Sequence, residues 1–350
     1  EVAPSLERAL IGDCGEKTYV IVDEGPELSG SSFASVLAWL AARGVARDRI
    51  WLLPSHGGAP GFASSPRARA DYARTPKVCA SFEQVFLDAR SPMGLGQLFS
   101  HSAGKALLPL CDLSGGKWRA MLFDSEQDYP ACHPQEERRK YLLHAAQGEF
   151  LLKYQGLGVR ATRARERSRM LAREGYGPAL LEVRDGFGMM RWFRGARPLS
   201  LGTEERTEFL AHVARYITFV ARAFGDRAAW SGARPTELAR MLEQNAKELF
   251  VPGLPELCGR LHAWLPELET MHRTTATDNR MDLHEWIDTA QGILKTDGLD
   301  HHATHDCIGC QDPTWDVVGA CVEFECSSAE RACLVRHLPR DLRPTPRQWV

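Results

Sequence analysis

The chain has 350 residues, 44% hydrophobic and 25% charged, the composition of a globular protein long enough for two domains that each bury a core. A formal net charge of -2 gives no electrostatic reason to expect nucleic acid or an anionic membrane as partner. No apolar run reaches the roughly 20 residues of a membrane helix, and the ten cysteines are too scattered for a secreted disulfide framework. With no signal peptide the sequence points to the cytoplasm. It starts at Glu1 rather than Met, so a processed product or fragment is expected, with an upstream segment or a partner completing its first domain.

In chain order, residues 19–22 (Tyr-Val-Ile-Val) read as a strand and residues 23–32 as a polar loop of small residues. Phe33, Val36, Leu37 and Leu40 recur at helical spacing, and Gly44 is placed to end that helix. Residues 50–53 (Ile-Trp-Leu-Leu) form a second strand, followed by Ser55-His56-Gly57-Gly58. This order predicts a βαβ unit with parallel strands. Asp23 and Glu24 end the first strand, at the edge where open α/β sheets take ligands. Ser29, Gly30, Ser31 and Ser32 offer hydroxyls and backbone N–H groups, and the following helix aims its positive end at the same place. A ribose-phosphate site would use these groups. A plain small-residue βαβ turn is the alternative.

Val20-Ile21-Val22-Asp23-Glu24 followed by Ser29-Gly30-Ser31-Ser32-Phe33, with Ser55-His56-Gly57 after the next strand, resembles the phosphoribosyltransferases over residues 17–60. The resemblance implies that the two acids and the serine loop hold a ribose-phosphate. The family's upstream sheet and second phosphate loop have no counterpart in the eighteen residues before the strand.

Residues 57–78 read as loop and residues 90–118 show no period. Pro130 and Pro134, flanking Cys132-His133, mark the expected boundary between domains 1–130 and 131–350. Beyond it, Phe150-Leu151-Leu152-Lys153-Tyr154 is the best strand candidate, and residues 161–174 form a charged helix containing Glu166. Its alternating Arg160, Arg163, Arg165, Arg167 and Arg169 read as a solvated face. Phe209, Val213, Tyr216, Ile217, Val220 and Phe224 mark a long amphipathic helix, and Leu238, Leu242 and Leu249 another. Segment 292–296 reads as a strand and 316–326 as a buried helix, and Trp192 and Trp286 as core or rim.

A strand lysine (Lys153) and a helix glutamate (Glu166) suit the holding of ATP phosphates. Met281-Asp282-Leu283-His284-Glu285-Trp286, then Gly292-Ile293-Leu294-Lys295-Thr296-Asp297, then Asp312-Pro313-Thr314-Trp315-Asp316 resembles the aminoglycoside phosphotransferase and choline kinase group over residues 137–330. The fold implied is a phosphoribosyltransferase-type α/β unit followed by an α+β kinase-like domain with a mostly helical larger lobe. By resemblance, Asp282, with His284 beside it, accepts the substrate proton, Asp297 holds magnesium, Lys153 contacts ATP and Asp316 braces the loop. Ile287 stands where the family has a metal-binding Asn, so Asp300, His302 or Asp306 is expected to supply the second ligand.

Residues 300–310 (Asp-His-His-Ala-Thr-His-Asp-Cys-Ile-Gly-Cys) carry ligand-type side chains densely. His301, His305, Cys307 and Cys310 could instead hold zinc, and a polar loop over packed thiols is the third reading. The expected function is ATP- and magnesium-dependent phosphoryl transfer to a small hydroxylated molecule, nucleoside- or ribose-like. The alternatives are a phosphoribosyltransferase and a silent nucleotide-binding scaffold.

Overall fold

The computed structural model describes residues 4–11, 17–134, 137–199, 202–225, 232–249, 253–303 and 308–349. The chain divides into two compact units, Glu1–His101 and Ser102–Val350. The division falls before the expected one near residue 130 because strand β3 (Cys111–Asp112) is antiparallel to β4 (Lys140–Ala145), which ties residues 102–130 to the second unit.

In the first unit, helix α1 (Pro4–Ile11) precedes β1 (Tyr19–Asp23), which pairs in parallel with β2 (Ile50–Pro54) from Tyr19–Ile50 to Asp23–Pro54. Between them runs α2 (Ser31–Ala41), whose Phe33, Leu37 and Leu40 fall on one face and pack on Ile21 and Leu52. Helix α3 (Pro66–Arg74) adds Tyr72 to this core; Ser65 caps it by accepting the Ala68 N–H at 3.1 Å. The βαβ order read from the sequence is therefore present. Two single-turn helices follow, α4 (Leu95–Leu98) and α5 (Ser100–Ala103).

The second unit begins with the antiparallel sheet β3–β4–β5–β7–β6, where β5 is Gly148–Tyr154, β6 Glu182–Arg184 and β7 Phe187–Arg191. A one-turn helix α6 (Arg119–Leu122) lies between β3 and β4, and the charged helix α7 (Val159–Arg173) between β5 and β6. Asp185 and Gly186, at φ 46° and 82°, form the two-residue turn from β6 to β7, which needs the left-handed region at both positions. A smaller sheet orders β10 (Gly292–Lys295), β9 (Trp286–Thr289) and β8 (Arg197–Pro198).

Helices α8 (Thr203–Phe224), α9 (Pro235–Leu249), α10 (Leu254–Met271), α11 (Thr314–Glu323) and α12 (Ser328–His337) make the rest of this unit largely helical. The apolar stripe of α8 packs Phe209, Val213 and Ile217 into one core with Trp286, Val317 and Leu334. Trp286 is thus core, while Trp192 lines the cleft described below. Among the described residues no helix is long and apolar enough to cross a membrane.

Candidate active site

The second unit holds a cleft of about 630 Å³ whose lining includes Lys140, Lys153, Asp282, His284, Glu285 and Asp297. Lys153 stands on β5 directly opposite Lys140 on β4, so the two side chains share one face of the sheet. Lys153 Nζ lies 2.6 Å from Asp297 Oδ2, and Lys140 Nζ lies 3.3 Å from Glu137 Oε1. The expected Lys153–Glu166 pair is not made. Glu166 is exposed on α7, and the acid that meets Lys153 follows β10 instead.

The loop before β9 is positioned from α11. Asp316, in the first turn of that helix and 1% exposed, accepts the backbone N–H of Asp278 and of Asn279, each at 2.8 Å. Asn279 sits at φ 68°, a region that Asn tolerates better than most residues, and its side chain donates to Gly309 O at 2.6 Å. Arg167 reaches the same loop from α7. It is 4% exposed and donates to Ala276 O at 2.6 Å and Gly298 O at 2.7 Å, so the solvated face expected for this helix does not extend to it.

Inside this frame the charges form one network. Lys295 on β10 is almost fully buried; its Nζ is ion-paired to Glu285, donates to Asp297 O at 2.6 Å and lies 3.4 Å from Asp278 Oδ2. Burial works against its charge, and the carboxylates of Asp278 and Glu285 more than offset this, holding the amine above its usual range. Asp278 also accepts from Tyr216 Oη at 2.5 Å and contacts His301 Nδ1 at 3.0 Å. Although burial opposes its ionisation, Lys295 and His301 hold Asp278 down at about 2. Burial likewise disfavours the charged His301 ring, but Asp297 and Asp278 raise it to about 10. Asp297 is held well below the carboxylate range, because Lys153 and His301 outweigh its desolvation. Burial, with the Asp297 and Asp278 charges, lifts Glu285 to about 7 against the pull of Lys295 and His301.

Asp282 and His284 both line the cleft, and the His284 ring stacks on Trp118 at 5.3 Å between centroids. Burial first, and the nearby Lys295 and Arg280 charges, lower His284 against the pull of Asp282. Asp300 lines the cleft too, with Oδ2 2.5 Å from Arg138 Nη2. His302 turns elsewhere. It is buried with Nδ1 3.5 Å from Arg167 Nη1, and burial followed by the Arg167 charge drops it to about 2.

Ligand-type atoms come within 4.8 Å of one another in two sets among the described residues: Asp282, His284 and Glu285, and Glu285, Asp297 and His301. Neither includes Asp300, His302 or Cys310. Asp306, His305 and Cys307 lie outside the described residues. Cys310 is buried, which pushes its thiol up to about 11.

In the first unit, Asp23 and Glu24 end β1, and Gly30 precedes α2 at φ 60°. Ser29 Oγ accepts the Ser31 N–H at 3.2 Å and donates to Ser31 Oγ at 3.0 Å, with Ser32 in the first turn of α2. The serines therefore satisfy part of the loop internally.

Sequence reasoning missed Asp278, Glu285, Lys295 and Lys140. Lys295 precedes Asp297 by two residues, the spacing that puts two extended residues on one face, and this was the available signal. Lys140 becomes significant only through its register opposite Lys153.

No family model matches this chain, and no curated protein does. Among solved structures it is similar to choline kinase LicA from Streptococcus pneumoniae, at 14% identity and a TM-score of 0.45 over 72% of this chain and 81% of that one. Macrolide 2'-phosphotransferase MphH from Brachybacterium faecium gives 15% identity and a TM-score of 0.42 over 61% and 77%. An aminoglycoside-3'-phosphotransferase of type VIII gives 16% and 0.35 over 60% and 85%. These likenesses are too distant to carry an argument, and the functional reading rests on the cleft itself.

Proposed function

We propose that the second unit binds a nucleoside triphosphate in this cleft and transfers its terminal phosphoryl group to a small hydroxylated molecule. The observation that carries the reading is the 2.6 Å pair of Lys153 and Asp297, which joins the five-stranded sheet to the segment after β10 where both residues line the cleft. Lys153 and Lys140 face the place of the phosphates. The acceptor hydroxyl oxygen attacks the terminal phosphorus while the bond to the bridging oxygen breaks, and the diphosphate leaves. Asp282 takes the hydroxyl proton, and His284, stacked on Trp118, lines the approach beside it.

The resemblance implies magnesium, held at Asp297. Asp297 is already set against Lys153 and His301 in this arrangement. Asp278, Glu285 and Asp297 are three carboxylates, and Lys153, Lys295 and His301 are three cations already set against them. Asp282, which shares a set of ligand-type atoms with His284 and Glu285, stands outside that balance, and no step is assigned to an ion.

A second reading, nucleotide binding without turnover, is favoured by that same neutralisation of the acids. The two are separated by incubating the protein with ATP and a panel of small alcohols, sugars and nucleosides and following phosphorus NMR. A new phosphate ester supports transfer, and ATP binding with no ester from any acceptor supports the silent reading. The first unit's order of β1, α2 and β2 suits many sheets, so we assign it no chemistry.

A further inference from the structure

We propose that Trp118 is an autoinhibitory plug: its indole, latched by Glu137, bridges Lys140 and His284 across the cleft and must swing out before a nucleotide is taken. This deepens the phosphate reading of the cleft and rests on it.

The Trp118 ring stacks on the His284 ring at 5.3 Å between centroids and 19° between planes, and the Lys140 ammonium lies 5.5 Å from the same indole. Lys140 belongs to the five-stranded sheet and His284 to the segment entering β9, and both line the cleft, so one side chain joins its two walls. A terminal phosphate held by the sheet lysines has to come within reach of a hydroxyl beside Asp282, and an indole between Lys140 and His284 stands in that path.

Glu137 holds the indole there. Its Oε1 accepts the Trp118 Nε1–H at 2.6 Å and lies 3.3 Å from Lys140 Nζ, while Oε2 accepts the Gly116 N–H at 2.8 Å. Burial opposes the ionisation of Glu137, but Lys140 and these two N–H groups hold it below the usual carboxylate range. Glu137 thus gives Lys140 the negative oxygen that a phosphate would bring, and a bound phosphate competes with it for the same ammonium. The one carboxylate therefore links the plug to the state of the phosphate site.

The turn that carries Trp118 also contains a pivot. Leu113 N–H donates to Lys140 O at 2.9 Å and Ser114 Oγ accepts the Lys140 N–H at 2.9 Å, so the chain is fastened to β4 up to Ser114. Gly115 and Gly116 follow at φ 60° and 82°, a region that glycine enters and leaves without steric penalty. Rotation at these two residues moves Trp118 and leaves the sheet in place.

The test is calorimetric and stopped-flow titration of the full chain with magnesium-ATP, native beside Trp118→Ala and Trp118→Phe. A closed plug lowers apparent affinity by the fraction of molecules that stand open. Trp118→Ala should therefore bind ATP about fivefold or more tighter, with the gain carried by the association rate. Trp118→Phe keeps a ring but cannot bond Glu137, so it should show a smaller gain in the same direction and keeps the proposal falsifiable if Trp118→Ala does not fold. Binding by the variants alone would support the plug as well. Unchanged or weaker binding in the folded variants overturns the plug and leaves the phosphate reading standing. No binding by the native chain or by either variant overturns both.

Discussion

The carboxylate of Asp316 is tied to the backbone of Asp278 by a 2.8 Å hydrogen bond, and through this contact helix α11 sets the position of the charged network around Lys295. A second bond from Asn279 N–H fills the other oxygen, so the acid serves two donors at once. Asp316→Ala removes both acceptors and leaves the N–H groups unsatisfied. It should cost about 3 kcal/mol in urea unfolding, the scale of losing a charged buried hydrogen bond. A variant as stable as the native chain would show that Asp316 does not hold this loop.

Gly298 is confined by the same network. A Cβ there would lie 2.8 Å from Tyr216 Oη and 3.0 Å from Asp278 Oδ2, and those two groups are bonded to each other. Neither can swing aside freely, so Gly298→Ala should destabilise by roughly 1–3 kcal/mol, the usual range for overpacking a filled core. A melting temperature at or above the native value would contradict this.

The adjacent histidines predict opposite pH dependences. His301 is raised to about 10 by Asp297 and Asp278 against the burial that disfavours its charge, from an unfolded value of 6.5. Its stabilisation is complete below 6.5 and is lost as pH rises toward 10, because the folded state then holds a proton that the unfolded state has released. His302 is lowered to about 2 by burial and Arg167, so its contribution is present above 6.5 and is lost as pH falls. Glu285, lifted to about 7 by burial, finishes its own loss near neutrality. Asp316, also raised to about 7 by burial, loses its contribution over the same range. Between pH 8 and 9 stability should therefore fall by at most about 1.4 kcal/mol per pH unit, and His301→Gln should remove that slope. His302→Gln should instead flatten the acid side. Denaturant midpoints measured across the pH range decide both, and an alkaline slope that survives in His301→Gln would contradict the assignment.

Much of the frame was legible in the sequence because it rests on local periodicity. The β1–α2–β2 order, the Lys153 strand, the long helix α8 and the segment around β10 follow from alternation or helical spacing. Strand β4 was not read, because Tyr141, Leu142 and Leu143 are buried in succession and show no alternation. The domain boundary was misplaced because two-residue β3 has almost no signal of its own and is defined by its pairing with β4. Arg167 was assigned to a solvated face because its neighbours at two-residue spacing are arginines. Only the fold brings the carbonyls of Ala276 and Gly298 to it. Asp282, His284 and Asp297, named through the resemblance that their order along the chain carries, all line the cleft, whereas Lys295 meets three partners that come from separate segments.

The central claim, that the Lys153–Asp297 pair marks a nucleotide phosphate site, is tested most directly by ATP titration of the native chain beside Lys153→Met and Asp297→Ala. The account predicts saturable binding to the native protein and at least a tenfold loss, about 1.4 kcal/mol, in Lys153→Met, which removes the cation facing the phosphates. Asp297→Ala should disturb binding as well, since it frees Lys153 and leaves His301 without one of its carboxylates. Equal ATP affinity in all three proteins would contradict the account.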